Sequence, residues 1–148
     1  MNPTLTMLRN VIFEIFGDMF FLFPEEYDEE VTLPRNWIKY GIRITRGKKK
    51  TLFINCYFTP KQAAVMAENF LGMEKEDISD VIIGETIKEA VNVISGNLLN
   101  KLGEEYHMGI PANSPTEDTA VLKKMVDTDD AVLLNVEDEP FLASVTCN

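Results

Sequence analysis

The stretch DISDVIIGETIKEAVNVISGNLLNKLG, residues 77–103, decides how the remainder of the chain is read. Within it Ile87, Val91, Ile94, Leu98 and Leu102 recur at intervals of four, three, four and four, the mark of one buried face of an α-helix. Asp77 and Asp80 stand at its start, where carboxylates complement the helix dipole, and Gly103 closes it. At about 100° per residue, with Ile87 as zero, the apolar stripe covers about −20° to +60°; Glu85, Glu89, Asn92 and Gly96 fall between about 140° and 200°. The polar face therefore carries carboxylate, carboxylate and amide, then a glycine that lets another surface come close. An ordinary solvated face can have the same make-up, and Glu-x-x-Asn alone is a short pattern.

Upstream, the spacing of Leu8, Ile12, Ile15, Met19 and Phe23 predicts a first helix that buries one face and ends at Pro24 and the acidic run 25–30. Its methionines and phenylalanines read as core. Residues 37–45 and 51–58, rich in Ile, Thr, Tyr and Phe, read as strands joined by the turn Arg46-Gly47-Lys48-Lys49-Lys50. Seven of the 14 basic residues lie within 35–50. A solvated tip and a lysine-guarded edge explain them; a site for an anionic ligand on the hairpin 43–50 is the other reading. Thr59-Pro60 opens a second helix, Gln62 completes a Thr-x-x-Gln capping box, and Gly72 ends it. Beyond the long helix come His107, as a polar loop residue, and a loop with Pro111 and Pro115. Residues 131–136 and 141–146 read as strands joined by Glu137-Asp138-Glu139, and 120–126 fits either a strand or a short helix, with strand preferred.

Each half of the chain thus opens with a long helix followed by a hairpin. Glu14-Ile15-Phe16-Gly17 aligns with Glu89-Ala90-Val91-Asn92 at an offset of 75 residues. The expected fold is α/β of the α+β type: one antiparallel sheet with the long helices packed on it, in two pseudo-repeats, as a single domain over 1–148.

Composition narrows the function. The 148 residues hold 14 basic and 24 acidic side chains, a net charge of −10 and a pI near 4.5, which argues against nucleic acid as a partner. An apolar share of 45% with 26% charged residues is that of a folded chain. One histidine and two cysteines are too few for a His/Cys zinc site, and a nucleophilic triad would rest wholly on His107. The most apolar stretch, 11–23, carries Glu14 and Asp18 and is shorter than the ~20 residues a membrane span needs. It also lacks the basic start and cleavage site of a signal peptide. Cys56 and Cys147 form no disulfide framework and suit a reducing compartment, so a soluble, cytoplasmic protein with no membrane partner is expected.

Glu89-x-x-Asn92 is followed by 22 residues and then Pro115; it lies on a long amphipathic helix, and a vestigial Glu14-x-x-Gly17 sits on the matching helix of the other half. In these features the chain resembles the CheC/CheX/FliY family of chemotaxis phosphatases, whose signature is Asp/Ser-x-x-x-Glu-x-x-Asn-x22-Pro. Glu85 stands where the family has Asp or Ser, keeping the acidity and adding a methylene. One intact motif with a degenerate first copy looks most like the CheX branch, and the expected fold is CheC-like.

The resemblance implies hydrolysis of the phospho-aspartate on a CheY-like receiver domain of a response regulator, within chemotaxis signalling. Glu89 and Asn92 would be the catalytic pair: Glu89 pairs with the receiver's active-site lysine, and Asn92 holds a water in line for attack. Glu85, Gly96 and Pro115 would belong to the partner-binding surface, Pro115 with its neighbour Pro111 mainly by shaping the loop. No cofactor of the protein's own is implied, because the receiver brings Mg²⁺ with the acyl phosphate. A homodimer is also implied, and residues 141–146 are a candidate pairing edge with few charges to guard it. The alternative is a non-catalytic module that binds a receiver domain or a flagellar-switch component through the same helix face.

Overall fold

Asn2 begins the first helix: its side-chain oxygen accepts from Leu5 N–H at 2.7 Å, and Pro3 fills the first helical position. The computed structural model describes residues 2–27, 33–47, 50–103 and 105–147. Helix α1 (Pro3–Phe20) buries Leu8, Ile12 and Ile15 as the spacing predicts, with Phe16 and Phe20 beside them. Phe23 does not join this face and is 75% exposed. The helix stops three residues earlier than the periodicity runs, because Phe21 takes a left-handed φ of 54° and turns the chain.

The sheet is built from β1 (Glu25–Glu26), β2 (Ile38–Arg46), β3 (Lys50–Phe58), β4 (His107–Met108), β5 (Ala112–Ser114), β6 (Ala131–Val136) and β7 (Glu139–Cys147). Their order is β1-β6-β7-β3-β2-β4, with β5 also paired to β2, and every pairing is antiparallel. The two long hairpins, β2–β3 and β6–β7, meet along β3 and β7. In the second, Glu137 and Asp138 both have positive φ, the geometry of a two-residue type I′ turn, so Glu139 already belongs to β7. Two expectations change here. Residues 141–146 are no edge, since β7 lies between β6 and β3. His107 is in a short strand opposite Thr45 rather than in a loop. Of the basic turn, Lys48 and Lys49 lie outside the described residues, as do 28–30 of the acidic run.

Helix α2 (Pro60–Leu71) opens as expected, Thr59 accepting from Gln62 N–H at 3.1 Å. The reciprocal half of the capping box does not form. Gln62 is fully buried and its amide donates to Val136 O and Glu139 O at 3.1 and 3.3 Å, tying the helix start to the β6–β7 turn. Helix α3 (Asp80–Leu102) starts at Ser79, whose hydroxyl accepts from Ile82 N–H, and Gly103 ends it in the left-handed region. A 3₁₀ turn (Lys75–Asp77) precedes it, so Asp80 lies in the first turn and Asp77 outside the helix. Residues 120–126, where the sequence favours strand over a short helix, lie in a fourth helix, α4 (Thr119–Asp127). Leu122, Met125 and Val126, spaced by three and four, give it an apolar side that packs on Trp37, Tyr57 and Leu142.

Helices α1 and α3 and the start of α2 cover one face of the sheet, while α4 covers part of the other. The expected α/β fold, long helices on an antiparallel sheet, is therefore the one found. No helix among the described residues is long and apolar enough to cross a membrane. At the centre of the main core, Phe141 meets the rings of Phe16 and Phe58 edge-on, at 5.0 and 5.2 Å between centroids. Phe141→Ala is expected to cost about 3–5 kcal/mol of stability in urea unfolding, the range for emptying a fully buried aromatic site.

Candidate functional site

Helix α3 is fixed by its inner face. Ile87, Ala90, Val91, Ile94 and Leu98 are all buried, and the helix lies against α1, α2 and β2. That leaves Glu85, Glu89, Asn92 and Gly96 on the outer side, along roughly 16 Å of helix. Glu85 and Glu89 are exposed; Asn92 and Gly96 are half-buried. Glu85 accepts a hydrogen bond from Lys88 at 3.4 Å. No side chain among the described residues bonds the Glu89 carboxylate or the Asn92 amide. An amide with two donors and an acceptor stands beside a carboxylate one helical turn away, both free to engage something outside the molecule.

The long connection after α3 returns along the outer edge of β2. Ile44 opposes Met108, yet Gly41 opposes Ala112, so residues 109–111 face only Ile42 and Arg43. This is a one-residue β-bulge. It is fastened by Gly109 N–H donating to Arg43 O at 2.8 Å; a Cβ on Gly109 would lie 3.1 Å from that oxygen. The bulge leaves Ile110 84% exposed and Pro111 buried. Met108 lies beside Gly96, its sulfur 4.0 Å from where a Cβ there would be. At the other end, the Tyr40 hydroxyl is 3.1 Å from the corresponding point on Gly84. Helix and edge strands are thus neighbours along their length. Between them, beyond Gly96, opens a groove of about 370 Å³ lined by Leu99, Asn100, Glu105, His107 and Met108.

Four of the five residues singled out from the sequence, Glu85, Glu89, Asn92 and Gly96, share one helix face. Pro115 is not on it. It is exposed, on the loop beyond β5, where Ser114 pairs with Lys39. Two residues further on, the loop is held by a cluster that sequence reasoning missed. Glu117 accepts hydrogen bonds from Lys39 Nζ and from the Tyr57 hydroxyl, and Lys39 also sits over the Tyr57 ring at 5.4 Å. Burial pushes the Glu117 carboxyl up, but the bonds from Lys39 and Tyr57 outweigh it and hold it below its ordinary value. Tyr57 is driven the other way, first by burial and then by the hydrogen bond and charge of Glu117. Cys56, behind it in the core, is pushed up to about 12 by burial and is an inert thiol.

The segment 41–130, which contains α3 and Pro115, matches the family model described as Chemotaxis phosphatase CheX. No curated protein matches the sequence. Among solved structures, the chain is similar to the chemotaxis protein CheX of Desulfovibrio desulfuricans, at 15% identity and a TM-score of 0.72 over 99% of this chain and 100% of that one. A CheC-like superfamily protein of Shewanella sp. PV-4 is similar at 12% identity and TM-score 0.68, covering 100% and 99%. The CheX of the CheX–CheY–BeF3–Mg complex from Borrelia burgdorferi is similar at 14% and 0.63, covering 98% and 97%. At such identities the likeness is one of fold.

The Lys39–Glu117–Tyr57 cluster has a pH signature. A carboxyl held low in the folded protein stabilises it above the unfolded value and loses that contribution as pH falls through the folded one. Parent and Glu117→Gln should therefore differ in chemical denaturation midpoint at pH 7, with the parent the more stable. The difference should shrink only as the pH drops below the ordinary carboxyl value of 4.5.

Proposed function

We propose that this chain, which belongs to the Chemotaxis phosphatase CheX family, hydrolyses the phospho-aspartate of a CheY-like receiver domain. The observation that carries the proposal is the pair Glu89 and Asn92. They stand side by side on the outer face of α3, inside the matched segment, with no partner among the described residues to occupy them. A side-chain amide has no useful basicity, so its chemistry here is positional.

In this reading the carboxylate of Glu89 pairs with the receiver's active-site lysine and sets the docking register. Asn92, one turn on, then reaches the phosphoryl group. Its amide holds a water opposite the acyl oxygen; the water oxygen bonds to phosphorus as the P–O bond to the aspartate breaks, and inorganic phosphate and a free carboxylate leave. Mg²⁺ arrives with the substrate and neutralises charge on the phosphoryl oxygens. Glu85 extends the acidic rim, Gly96 leaves room for close approach, and Pro115 shapes the loop at the N-terminal end of the face. The protein acts in the cytoplasm, where receiver domains are. A homodimer is part of the proposal; because β7 is interior, its pairing surface is not 141–146.

The test is to follow phosphate loss from a phosphorylated receiver and to measure receiver affinity separately. Asn92→Ala should slow hydrolysis by about 10²–10⁴-fold while affinity survives. Glu89→Ala should weaken both. Glu14→Gln, on the degenerate copy, should leave turnover unchanged. A well-folded Asn92→Ala protein that hydrolyses as fast as the parent would leave only the non-catalytic module that binds through this face. Sedimentation at micromolar concentration should give twice the mass of one chain; a single-chain mass removes the dimer and leaves the site untouched.

A further inference from the structure

Gly17 corresponds to Asn92 in the internal alignment, and the structure gives that place a different covering. The Phe23 ring folds back so that its Cε1 lies 3.7 Å from where a Cβ on Gly17 would be. At the same helix end, Phe21 is 67% exposed and keeps a left-handed φ of 54°. Glycine closes α2 and α3 in that conformation, at Gly72 and Gly103; among the described helices only α1 uses a bulky residue there, against its backbone preference. The end of α2 is fastened alongside. Asn69 Nδ2 donates to Phe20 O at 2.7 Å, and the exposed Phe70 packs on the Phe20 ring at 5.6 Å, with Leu71 exposed next to it.

Two helix ends thus present Phe21, Phe23, Phe70 and Leu71 to solvent, more apolar surface in one place than scattered exposure produces. Its surroundings are acidic. In sequence, Asp18 and Glu25 flank Phe21 and Phe23, and Glu68 and Glu74 flank Phe70 and Leu71. Lys75, exposed next to Glu74, is the cation nearest to them in sequence, and Arg9, further back on α1, is engaged with Glu26 and the Phe13 ring.

We infer that this acid-rimmed aromatic patch is a docking surface, separate from the α3 face, for a segment of another protein that is apolar on one side and carries Lys or Arg beside it. Charge selects the occupant. A second copy docking through the same patch would set one acidic rim against another, and an anionic lipid surface would be repelled as well. A basic amphipathic helix laid across two helix ends offers both the apolar anchors and the counter-charge. The inference does not depend on the phosphatase reading, which uses the other helix.

The full-length chain can be titrated with a dye-labelled Leu/Lys peptide of about five helical turns, and with its Leu/Glu counterpart, in fluorescence anisotropy. The parent should bind the Leu/Lys peptide saturably and the Leu/Glu peptide not at all. The double variant Phe21→Gly, Phe23→Ser should bind at least tenfold more weakly. Glycine suits the φ at position 21, so this variant is expected to fold. Ile110→Ser, which removes an equally exposed apolar side chain elsewhere, should bind like the parent. The inference is overturned if the double variant binds as tightly as the parent, if Ile110→Ser loses as much, or if the Leu/Glu peptide binds too. It is also overturned if the parent forms a dimer that the double variant dissociates, for then the occupant is a second copy.

Discussion

The antiparallel pairing of β3 with β7, from Leu52 opposite Cys147 to Tyr57 opposite Leu142, is the constraint on which the rest of the molecule depends. It joins two hairpins far apart in sequence into one sheet, and its register decides which side chains face which layer. Ile54, Cys56, Ala143 and Val145 point into the core under α1 and α3, while Tyr57 and Leu142 point to the side that α4 covers. A slip of one residue would exchange the two sets. The aromatic contacts of Phe141 with Phe16 and Phe58 then bind α1 to both hairpins at once. Helix α3 inherits its position from this arrangement, and its outer face is what the arrangement leaves over.

That leftover face explains a division between the two long helices. Both have Glu at the matching position, and both bury their inner side against the same sheet. On α3 the outward turn carries Asn92, half-buried and with no hydrogen bond to its amide among the described residues. On α1 the same turn carries Gly17 with a phenylalanine ring lying against it. The two halves share their backbone plan and differ in what they offer to a visitor: a hydrogen-bonding amide on one side, an aromatic surface on the other.

Much of this was legible from local pattern, and the misses share a physical cause. The α3 face could be read because the contrast between its two sides is written within a few turns of helix. The caps at Thr59 and Gly72 were legible for the same reason. Helix α4 stayed undecided between strand and helix, since its short run Leu122, Met125 and Val126 acquires meaning only from Trp37, Tyr57 and Leu142, which are distant in sequence. Glu117 is separated from Lys39 and Tyr57 by 78 and 60 residues, so no local motif announces the cluster. Strands of two or three residues, such as β1 and β4, have no periodicity to display. Phe23 was misplaced because an apolar period can outlast the helix: backbone geometry at Phe21 ended the one while the residue types continued the other. Gln62 shows the same limit, since the sequence contains a capping box whose second half the tertiary structure diverted to Val136 and Glu139.

The bulge at 109–111 bears on what the 22-residue gap between Asn92 and Pro115 measures. From Asn92 the helix runs on for about 15 Å to Leu102. The chain then reverses and travels about 23 Å back along the edge of β2, from His107 to Ser114. The return leg is the longer, so it carries Pro115 past the level of Asn92 towards Gly84. The gap is a ruler laid out and folded, and its length is a property of two element lengths, not of a contact. Adding a turn to α3 would lengthen the outward leg by about 5.4 Å, which one to two extra strand residues would restore. A single extra strand residue would reverse the facing of everything after it, unless a bulge absorbed it. The bulge already present is one such absorber: it adds a residue to the return leg and the strand after it still pairs with β2.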